Sequence, residues 1–389
     1  MPATDTRIAR IRTYHLMCPL PEPFATSQMR LLRHDALLVR VETVGGAEGW
    51  GECAGFPEMI QTGIQNFLGP VALGHDVLAP DVLWHDLWRA AQPWGRRGHL
   101  PAGLSGIDMA VWDLRGKLLG QSVSEMLGGR FRDQIPCHAT GLYFRELPEA
   151  ELIPSLIDEA HEYVEAGFRG IKMQIGRNPT FDAALVRALR SALPAISLHA
   201  DAGRAFDLPE AIRIGRLLEE LNFDSFEEPF SPESPYLYPR LAEHVNIPLS
   251  AGEVEQTRWG FQSLLAGGGV SIAQPDISFC GGPSEAVRIR SVAGAMGINI
   301  APFVGGTHFN FAAALHLLAS DFHQPSRIEP VPTFLAWEGP PNPLRDVLFS
   351  CPVSLEAGIA RVPKEPGLGV AIDPNELRFF CVDEREVTA

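Results

Sequence analysis

The sequence predicts an α/β fold, a modified (β/α)8 TIM barrel with an N-terminal α+β capping domain. Up to about residue 130, strand-like segments come first and helical segments follow. Beyond that point, short strand-like runs alternate with helical stretches of about ten to fifteen residues, which is typical of parallel strands joined by crossover helices. A barrel of this kind takes about 250 residues, so the length of 389 residues leaves room for a second domain.

Residues 1–130 are predicted to form the capping domain. Residues 36–42 are rich in β-formers, and residues 104–127 place apolar side chains at spacings of three and four, which predicts a helix that stops at Gly128. The C-terminal tail, from about 362 to 389, is rich in turn residues and then strand-like. We expect this tail to return to the capping domain and complete it.

Residues 131–361 are predicted to form the barrel. The predicted helix 181–193 follows Asn178-Pro179. The predicted helix 208–221 has Pro209 in its first turn, where proline is favoured. The eight strand candidates are short runs of apolar and β-branched residues: 135–140, 170–175, 197–201, 225–228, 249–253, 272–276, 299–302 and 326–329.

Composition and charge exclude several classes of partner. A formal net charge of −15 argues against nucleic acid and anionic membranes, because both require basic surfaces. No apolar stretch is long enough for a transmembrane helix, and the N-terminus lacks the apolar core of a signal peptide. The six cysteines contain no C-x-x-C pair, which argues against a zinc ribbon. We therefore expect a cytoplasmic enzyme that acts on a small molecule.

Ionisable residues lie at the C-terminal ends of successive strand candidates, and the active site of a barrel lies at that end of its strands. The intervals from Asp201 to Glu227 and from Glu227 to Glu253 are equal and close to the length of one strand-helix unit, which places the three on neighbouring strands. The strand-end residues in chain order are Lys172, Asp201, Glu227, Glu253, Asp276, His308 and Glu329.

Three converging carboxylates indicate a cation. Buried together as bare anions, Asp201, Glu227 and Glu253 would repel one another and take up protons. A ligand set made of hard oxygen atoms favours Mg2+ over zinc or copper, and Mg2+ commonly keeps positions for water or an anionic substrate. The alternative is that these residues form ion pairs at loop ends, but their shared register favours the metal site.

Four segments resemble the enolase superfamily, and more narrowly its mandelate racemase subgroup. They are Phe226-Glu-Glu-Pro229, Ser250-Ala-Gly-Glu253, residues 105–117 (SGIDMAVWDLRGK) and Pro366-Gly-Leu-Gly-Val370. The resemblance spans almost the whole chain. It implies a capping domain over the barrel, Mg2+ held by Asp201, Glu227 and Glu253, a carboxylate substrate and an enediolate intermediate.

The resemblance also implies catalytic roles beyond the metal ligands. Asp276 and His308 match the subgroup's dyad, in which the aspartate orients a histidine that takes the α-proton. Glu329 matches an acidic residue of the subgroup that hydrogen-bonds the developing enediolate. The alternative role for Glu329 is an ion pair with a neighbouring arginine. Glu228 is expected to point away from the site by strand alternation.

The second strand departs from the family pattern. It carries Lys172-Met-Gln174 where many relatives have Lys-x-Lys, so Lys172 and Gln174 should both face the substrate, and Gln174 cannot act as a second base. Asp201-Ala-Gly203 likewise lacks the histidine that certain relatives use as a leaving-group acid. A single base favours one-sided chemistry, namely β-elimination that converts an aldonate or aldarate to a 2-keto-3-deoxy acid. If His308 returned its proton to the leaving hydroxide, the elimination would be syn.

Two other functions stay open, together with the substrate contacts. A racemase or epimerase of a 2-hydroxy acid would need an unrecognised second base, and a binding protein would carry a decayed site. Residues 19–34 and 53–59 are expected to bear substrate specificity, although their polar side chains could equally be solvated. The resemblance further implies a homo-oligomer, either a dimer or an octamer.

Overall fold

A computed structural model describes residues 5–322 and 334–388. None of the helices in these two ranges is both long and apolar enough to cross a membrane. The polypeptide forms a capping domain and a parallel barrel, and a C-terminal segment connects the two.

The capping domain is an antiparallel sheet covered by helices. Its three N-terminal strands are β1 (Ile8–Ala25), β2 (Arg30–Thr43) and β3 (Glu48–Cys53). A π-helical turn, Ile64–Leu68, interrupts the first helices. The helices are α1 (Pro57–Gly63), α2 (Gly69–Ala72), α3 (Pro80–Ala91), α4 (His99–Leu119) and α5 (Val123–Met126).

Helix α4 is shorter than the sequence predicts. The apolar pattern indicates one helix over 104–127, but the chain adopts a left-handed conformation at Gly120 (φ 68°) and α4 ends there. Ser122 then starts α5 as part of a capping box with Glu125. The apolar residues on the two sides of this break pack in different clusters: Ile107, Val111 and Leu114 in the capping-domain core, and Val123 in the cluster that contains the barrel core.

Within residues 5–322 and 334–388, eight parallel strands of the barrel sheet lie in the order β10-β9-β8-β7-β6-β5-β4-β11, as in a (β/α)8 barrel. The strands are β4 (Gln134–Gly141), β5 (Gly170–Gln174), β6 (Ser197–Asp201), β7 (Ser225–Glu227), β8 (Leu249–Ala251), β9 (Val270–Ala273), β10 (Asn299–Ile300) and β11 (Leu335–Glu338). The surrounding helices are α6 (Glu149–Glu165), α7 (Pro179–Ala192), α8 (Leu208–Glu220), α9 (Leu237–Ala242), α10 (Thr257–Ala266), α11 (Gly282–Ala295) and α12 (His308–Ala319).

Seven of the strands coincide with sequence candidates, and the eighth does not. The candidate 326–329 lies outside the described residues. The strand that pairs with β4 on the side opposite β5 is β11, Leu335–Glu338. The predicted helices 181–193 and 208–221 correspond to α7 and α8.

The C-terminal segment runs from the barrel back to the capping sheet. It contains α13 (Pro343–Asp346), β12 (Phe349–Cys351), β13 (Leu355–Glu356), β14 (Ile359–Arg361), β15 (Ala371–Ile372), α14 (Pro374–Phe380) and β16 (Cys381–Thr388). Strand β14 pairs antiparallel with β4 of the barrel, and β16 pairs antiparallel with β1 of the capping domain. Residues from both ends of the chain therefore build the capping sheet.

Glu52 fastens the capping domain to the barrel. It lies on β3 and is 3% exposed. Its carboxylate accepts hydrogen bonds from the backbone N–H groups of Thr307 (3.0 Å) and Asn310 (3.2 Å) and from the Thr307 hydroxyl (2.7 Å). These donors lie at the start of α12, where backbone N–H groups have no partner within the helix. A capping-domain carboxylate thus accepts the hydrogen bonds of the N–H groups at the start of a barrel helix.

Replacing Glu52 is therefore expected to destabilise the protein. Glu52→Ala leaves buried donors unpaired and should lower the free energy of unfolding by about 3 kcal/mol, while Glu52→Gln keeps an acceptor and should cost less. The midpoint of thermal unfolding measures both. Glu48→Ala is the matched control, because the Glu48 side chain on the same strand is 44% exposed. Equal melting of Glu52→Ala and Glu48→Ala would contradict this role for Glu52.

Candidate active site

The predicted metal ligands lie at the carboxyl ends of three adjacent strands. Asp201 ends β6 and is in register with Glu227, which ends β7. Glu253 follows β8, the next strand in the sheet. Asp201 and Glu227 are 7% and 2% exposed. The barrel therefore brings the three carboxyl groups into one buried region.

Lys172 is ion-paired with two of these carboxylates. Its Nζ lies 2.6 Å from Glu227 Oε1 and 3.7 Å from Asp201 Oδ2. Burial alone would lower the pKa of Lys172, but the charges of Glu227, Asp201 and Glu253 outweigh burial and raise it. Lys172 is therefore an ammonium group that can donate hydrogen bonds to an anionic substrate.

Two amide side chains complete the hydrogen bonds of the same carboxylates. Gln174 Nε2 donates to Asp201 Oδ2 at 2.8 Å, and Gln274 Nε2 donates to Glu227 Oε2 at 2.8 Å. Gln174 faces the same way as Lys172, as strand alternation predicts. Asp201 Oδ2 is thus hydrogen-bonded by Gln174 of β5, and the two carboxylate oxygens of Glu227 by Lys172 of β5 and by Gln274, which follows β9.

Glu228 joins the site, contrary to the alternation argument. Arg204 Nη1 donates to both Glu228 Oε2 (2.9 Å) and Glu253 Oε1 (2.5 Å). Strand β7 ends at Glu227, and Glu228 has a left-handed backbone conformation (φ 42°), so the extended alternation no longer applies. Neither Arg204 nor Glu228 was predicted from the sequence to contact this cluster.

The carboxyl groups are electrostatically strained as anions. Burial raises the pKa of Glu227 to about 7, and the charge of Asp201 adds to this while Lys172 opposes it. Burial, followed by the charges of Glu228, Asp201 and Glu227, raises the pKa of Glu253 to about 8. More positive charge than Lys172 and Arg204 provide would stabilise the ionised cluster.

This donor set suits a hard divalent cation. Carboxylate oxygens at strand ends and the mutual repulsion of Glu227 and Glu253 fit Mg2+. In their present orientation these side chains turn toward Lys172 and Arg204, and within 5–322 and 334–388 no three Asp, Glu, His or Cys side chains converge on one ligation point. Metal binding would therefore require Glu227 and Glu253 to turn away from their cationic partners.

Asp276 also lies at the site, but its predicted partner is absent. Residues Asp276 and Phe303 form a parallel bridge beyond β9 and β10, so their side chains share a face. The ring of Phe303 lies 5.5 Å from Lys172 Nζ, which places this face toward the site. A phenylalanine thus occupies the position opposite Asp276 where a dyad requires a histidine.

His308 lies on the outer side of the barrel wall. Its ring is 6.0 Å from that of Trp337 and 5.1 Å from that of Phe349. Trp337 points outward because its neighbours Ala336 and Glu338 are in register with the inward-facing His138 and Thr140 of β4. Within the described residues no hydrogen bond joins His308 to Asp276, so the predicted dyad does not form.

The surroundings of His308 suit a neutral packing residue. Its Nδ1 is buried without a hydrogen-bond partner among the described residues. Burial, and then the charge of Arg345, lower the pKa of His308 to about 4. The orienting carboxylate that would raise the basicity of a catalytic imidazole is not in contact with it.

We expect His308→Gln to retain most of the enzyme's activity. Because His308 packs outside the site, kcat/KM should fall by less than about tenfold, whereas loss of a general base costs about 10² to 10⁴-fold. Steady-state kinetics on the preferred substrate measures this, with the thermal midpoint as a check on folding. A loss of about 10³-fold in a folded variant would restore His308 as the base.

The acidic residue at the end of the eighth strand is Glu338. Glu329 lies outside the described residues. Glu338 ends β11 in register with Thr140 and faces the barrel interior. The Leu-Ala-Trp-Glu sequence of this four-residue strand was not recognised as a strand.

Tyr143 is a further site residue that the sequence analysis missed. It follows β4, and its ring stacks on that of Phe24 at 4.5 Å. Burial, and then the charges of Glu338 and Asp201, raise its pKa well above the usual value, so the hydroxyl stays protonated. Among the described residues it has no hydrogen-bond partner, which leaves the hydroxyl able to donate to a ligand. Its place directly after the first strand is the signal that could have identified it.

The capping-domain segment 19–34, which comprises the end of β1, the connecting loop and the start of β2, is anchored to the barrel. The Ser27 hydroxyl donates to the carbonyl oxygens of Ala202 (2.8 Å) and Gly203 (3.1 Å), and Arg30 pairs with Glu146. A Cβ at Gly203, whose φ is 50°, would lie 2.5 Å from Ser27 Oγ. The position two residues beyond Asp201 therefore carries no side chain because the loop occupies the space.

Comparisons with known proteins agree with this architecture. Residues 10–128 match the model of the mandelate racemase/muconate lactonizing enzyme N-terminal domain, and residues 155–376 match that of the enolase C-terminal domain-like family. Together these two models account for most of the chain.

Three similar proteins have different reactions in their names. D-galactarolactone cycloisomerase of Agrobacterium fabrum is 34% identical over 96% of this chain and 98% of its own. Arabinonate dehydratase of Saccharolobus solfataricus is 32% identical over 94% and 96%. A solved racemase of Streptomyces coelicolor with bound magnesium is 26% identical over 96% and 100%, with a TM-score of 0.85.

Proposed function

The chain belongs to the mandelate racemase subgroup of the enolase superfamily, and from that premise we propose that it is a magnesium-dependent acid-sugar dehydratase. Its substrate would be an aldonate or aldarate. The reaction would remove the proton α to the carboxylate and eliminate the β-hydroxyl, which gives a 2-keto-3-deoxy acid. The arabinonate dehydratase similarity supports a substrate of this class.

The position of Lys172 carries this proposal. Its buried ammonium group lies against Glu227 and Asp201, the last residues of β7 and β6. A fixed positive charge there would hold the substrate carboxylate and stabilise the negative charge that develops on it when the α-proton leaves. Tyr143 and Gln174 would contribute neutral hydrogen-bond donors to the bound acid.

Asp201, Glu227 and Glu253 would hold the magnesium ion. Bound there, the ion would act as a Lewis acid toward the substrate carboxylate. Its charge would stabilise the ionised forms of Glu227 and Glu253, whose pKa values are raised by burial and then by neighbouring carboxylates. The bound magnesium of the Streptomyces coelicolor racemase supports the same cofactor.

A cycloisomerase of a cyclic acid sugar is the second candidate. Gly203 and Phe303 occupy the two positions at which a histidine could protonate a departing hydroxide. A lactone ring oxygen leaves as a carboxylate, which is a weaker base than hydroxide and needs less help from an acid. The similarity to D-galactarolactone cycloisomerase supports this alternative. Racemisation is less well supported, because Gln174 cannot supply a base on the second face of the carbon.

A substrate screen in heavy water with Mg2+ separates these reactions. Aldonates, aldarates and their lactones are incubated with the enzyme, and the products are identified by mass spectrometry and NMR. A keto acid formed with loss of water indicates a dehydratase, and a ring-opened isomer indicates a cycloisomerase. Deuterated but otherwise unchanged substrate indicates a racemase, and no reaction across the set would contradict the proposal.

A further inference from the structure

We propose that Asp276 is the general base of this enzyme and takes the α-proton directly. The inference rests on the proposed function, since it assigns a residue to the elimination described there. It begins from the pairing of Asp276 with Phe303, which puts a hydrocarbon ring where a proton-accepting imidazole would stand. With His308 outside the barrel wall, Asp276 is left without an intermediary.

The hydrogen bonds of Asp276 leave one oxygen available for chemistry. Its Oδ1 accepts from the Ser278 N–H (2.8 Å), the Ser278 hydroxyl (2.6 Å) and Asn310 Nδ2 (3.0 Å). Its Oδ2 accepts no hydrogen bond from residues 5–322 or 334–388. Three donors on one oxygen fix the orientation of the carboxylate, while the second oxygen stays free to accept a proton on the face shared with Phe303.

The other ionisable groups of the site are poor candidates. Lys172 is held as an ammonium by neighbouring carboxylates. Tyr143 stays protonated, and Gln174 and Gly203 have no basic group. Glu227 and Glu253 would be engaged by the metal. A further carboxylate, Glu338, ends β11, which among the described residues pairs with the first barrel strand β4 and not with β9 or β10.

The environment of Asp276 also suits a base that works near neutral pH. Burial raises its pKa to about 6, and the hydrogen bonds from Ser278 and Asn310 limit that rise. The ionisable side chains near it are Glu52 on β3 and the Cys280 thiol before α11, which burial keeps neutral, and Lys172 Nζ lies 5.5 Å from the ring of its bridge partner Phe303. Near neutral pH the carboxylate is ionised and can accept the α-proton, and its pKa is high enough for the carboxyl group to donate that proton to the leaving oxygen.

The proton and electrons can be followed through the step. Asp276 Oδ2 takes the C2 proton, and the C2–H electron pair becomes the C1–C2 double bond of the enediolate. When that double bond collapses, C2–C3 becomes double, the C3–O bond breaks, and the departing oxygen takes the proton from Asp276. The enol product then tautomerises with a solvent proton at C3, so no oxidant or reductant is needed.

Asp276→Asn tests the proposal, because it keeps Oδ1 as the acceptor for Ser278 and Asn310 and removes only the base. We expect kcat/KM to fall by about 10³-fold and the loss of C2 hydrogen to solvent to slow equally, with an unchanged thermal midpoint. In the wild type, kcat/KM should rise with pH to a plateau through the pKa of about 6. A loss below tenfold, or the same rising limb in Asp276→Asn, would overturn the proposal.

Phe303→His provides a second, independent variant. It places an imidazole opposite Asp276, so the aspartate changes from base to orienting residue. We expect Asp276→Asn to cost less in the Phe303→His background than in the wild type, which a double-mutant cycle measures. Equal costs in the two backgrounds would contradict a direct role for Asp276. Wild-type protein that turns over no acid sugar would instead contradict the proposed function.

Discussion

Lys172→Gln is expected to lower kcat/KM by about 10³-fold while the protein stays folded. Among the described residues, the ammonium group of Lys172 is the positive charge that pairs with Glu227 and Asp201, and removal of one donor aimed at developing charge costs on the order of 10² to 10³-fold. The substitution also removes attraction for the substrate carboxylate, so KM should rise as kcat falls. Steady-state kinetics on the preferred acid sugar measures both effects.

The thermal midpoint of the same variant shows whether lost activity comes from the missing charge or from a loss of folded protein. A cation bound by Glu227 would compete with Lys172, so Lys172→Gln should bind Mg2+ at least as tightly as the wild type, as measured by the rise in thermal midpoint on adding Mg2+. Lys364→Gln is the matched control, because the Lys364 side chain is 65% exposed and pairs only at 3.9 Å with Asp133. Near-normal turnover by Lys172→Gln would contradict the substrate-binding role of this residue.

Glu227→Gln is expected to abolish both Mg2+ binding and turnover. A ligand present at 100 times its Kd stabilises a protein by about 2.7 kcal/mol, and this Mg2+-dependent stabilisation should disappear. Glutamine preserves the shape of the side chain but not the charge that a hard cation requires. We therefore expect kcat/KM to fall by at least about 10³-fold.

Glu228→Gln is the informative comparison, because the two residues are adjacent. Glu228 accepts from the Gly252 N–H and from Arg204, and an amide oxygen can still accept one of these bonds. The Mg2+-dependent rise in thermal midpoint should therefore survive in Glu228→Gln. If Glu228→Gln lost the Mg2+ response and Glu227→Gln kept it, the ligand assignment would be wrong.

The sequence located those site residues that directly end or follow a strand. Asp201 and Glu227 end their strands, and Glu253 and Asp276 come within a short turn of theirs, so the spacing of the strand candidates sufficed to place them at strand ends. Phe303 follows β10 in the same way. Because phenylalanine is not ionisable, its position gives no sign of a catalytic role in the sequence, whereas the nearby His308 does.

His308 shows where such reasoning fails. It is the first residue of α12, and the side chains around a helical turn face different directions, so nearness to a strand along the chain does not place it in the site. The sequence did not predict strand β11, for a different reason. Four residues are too few to show alternation, and the preceding Pro330 and Pro332 are typical of a loop.

Contacts between distant segments could not be read from local patterns. The left-handed conformation of Glu228 breaks alternation, and the bridge that Arg204 forms to Glu253 depends on the packing of neighbouring loops. Glu52 likewise reads as an ordinary strand residue, and only the tertiary structure shows that it caps a barrel helix.

Turnover of an acid sugar that carries deuterium at C2 tests α-proton abstraction at this cluster most directly. The preferred substrate is compared with its C2-deuterated form in the presence of Mg2+, and the label is followed by NMR. We expect slower turnover of the deuterated substrate and complete loss of the label from C2 in the product. Equal rates with the deuterium retained at C2 would contradict α-proton abstraction as the reaction of this enzyme.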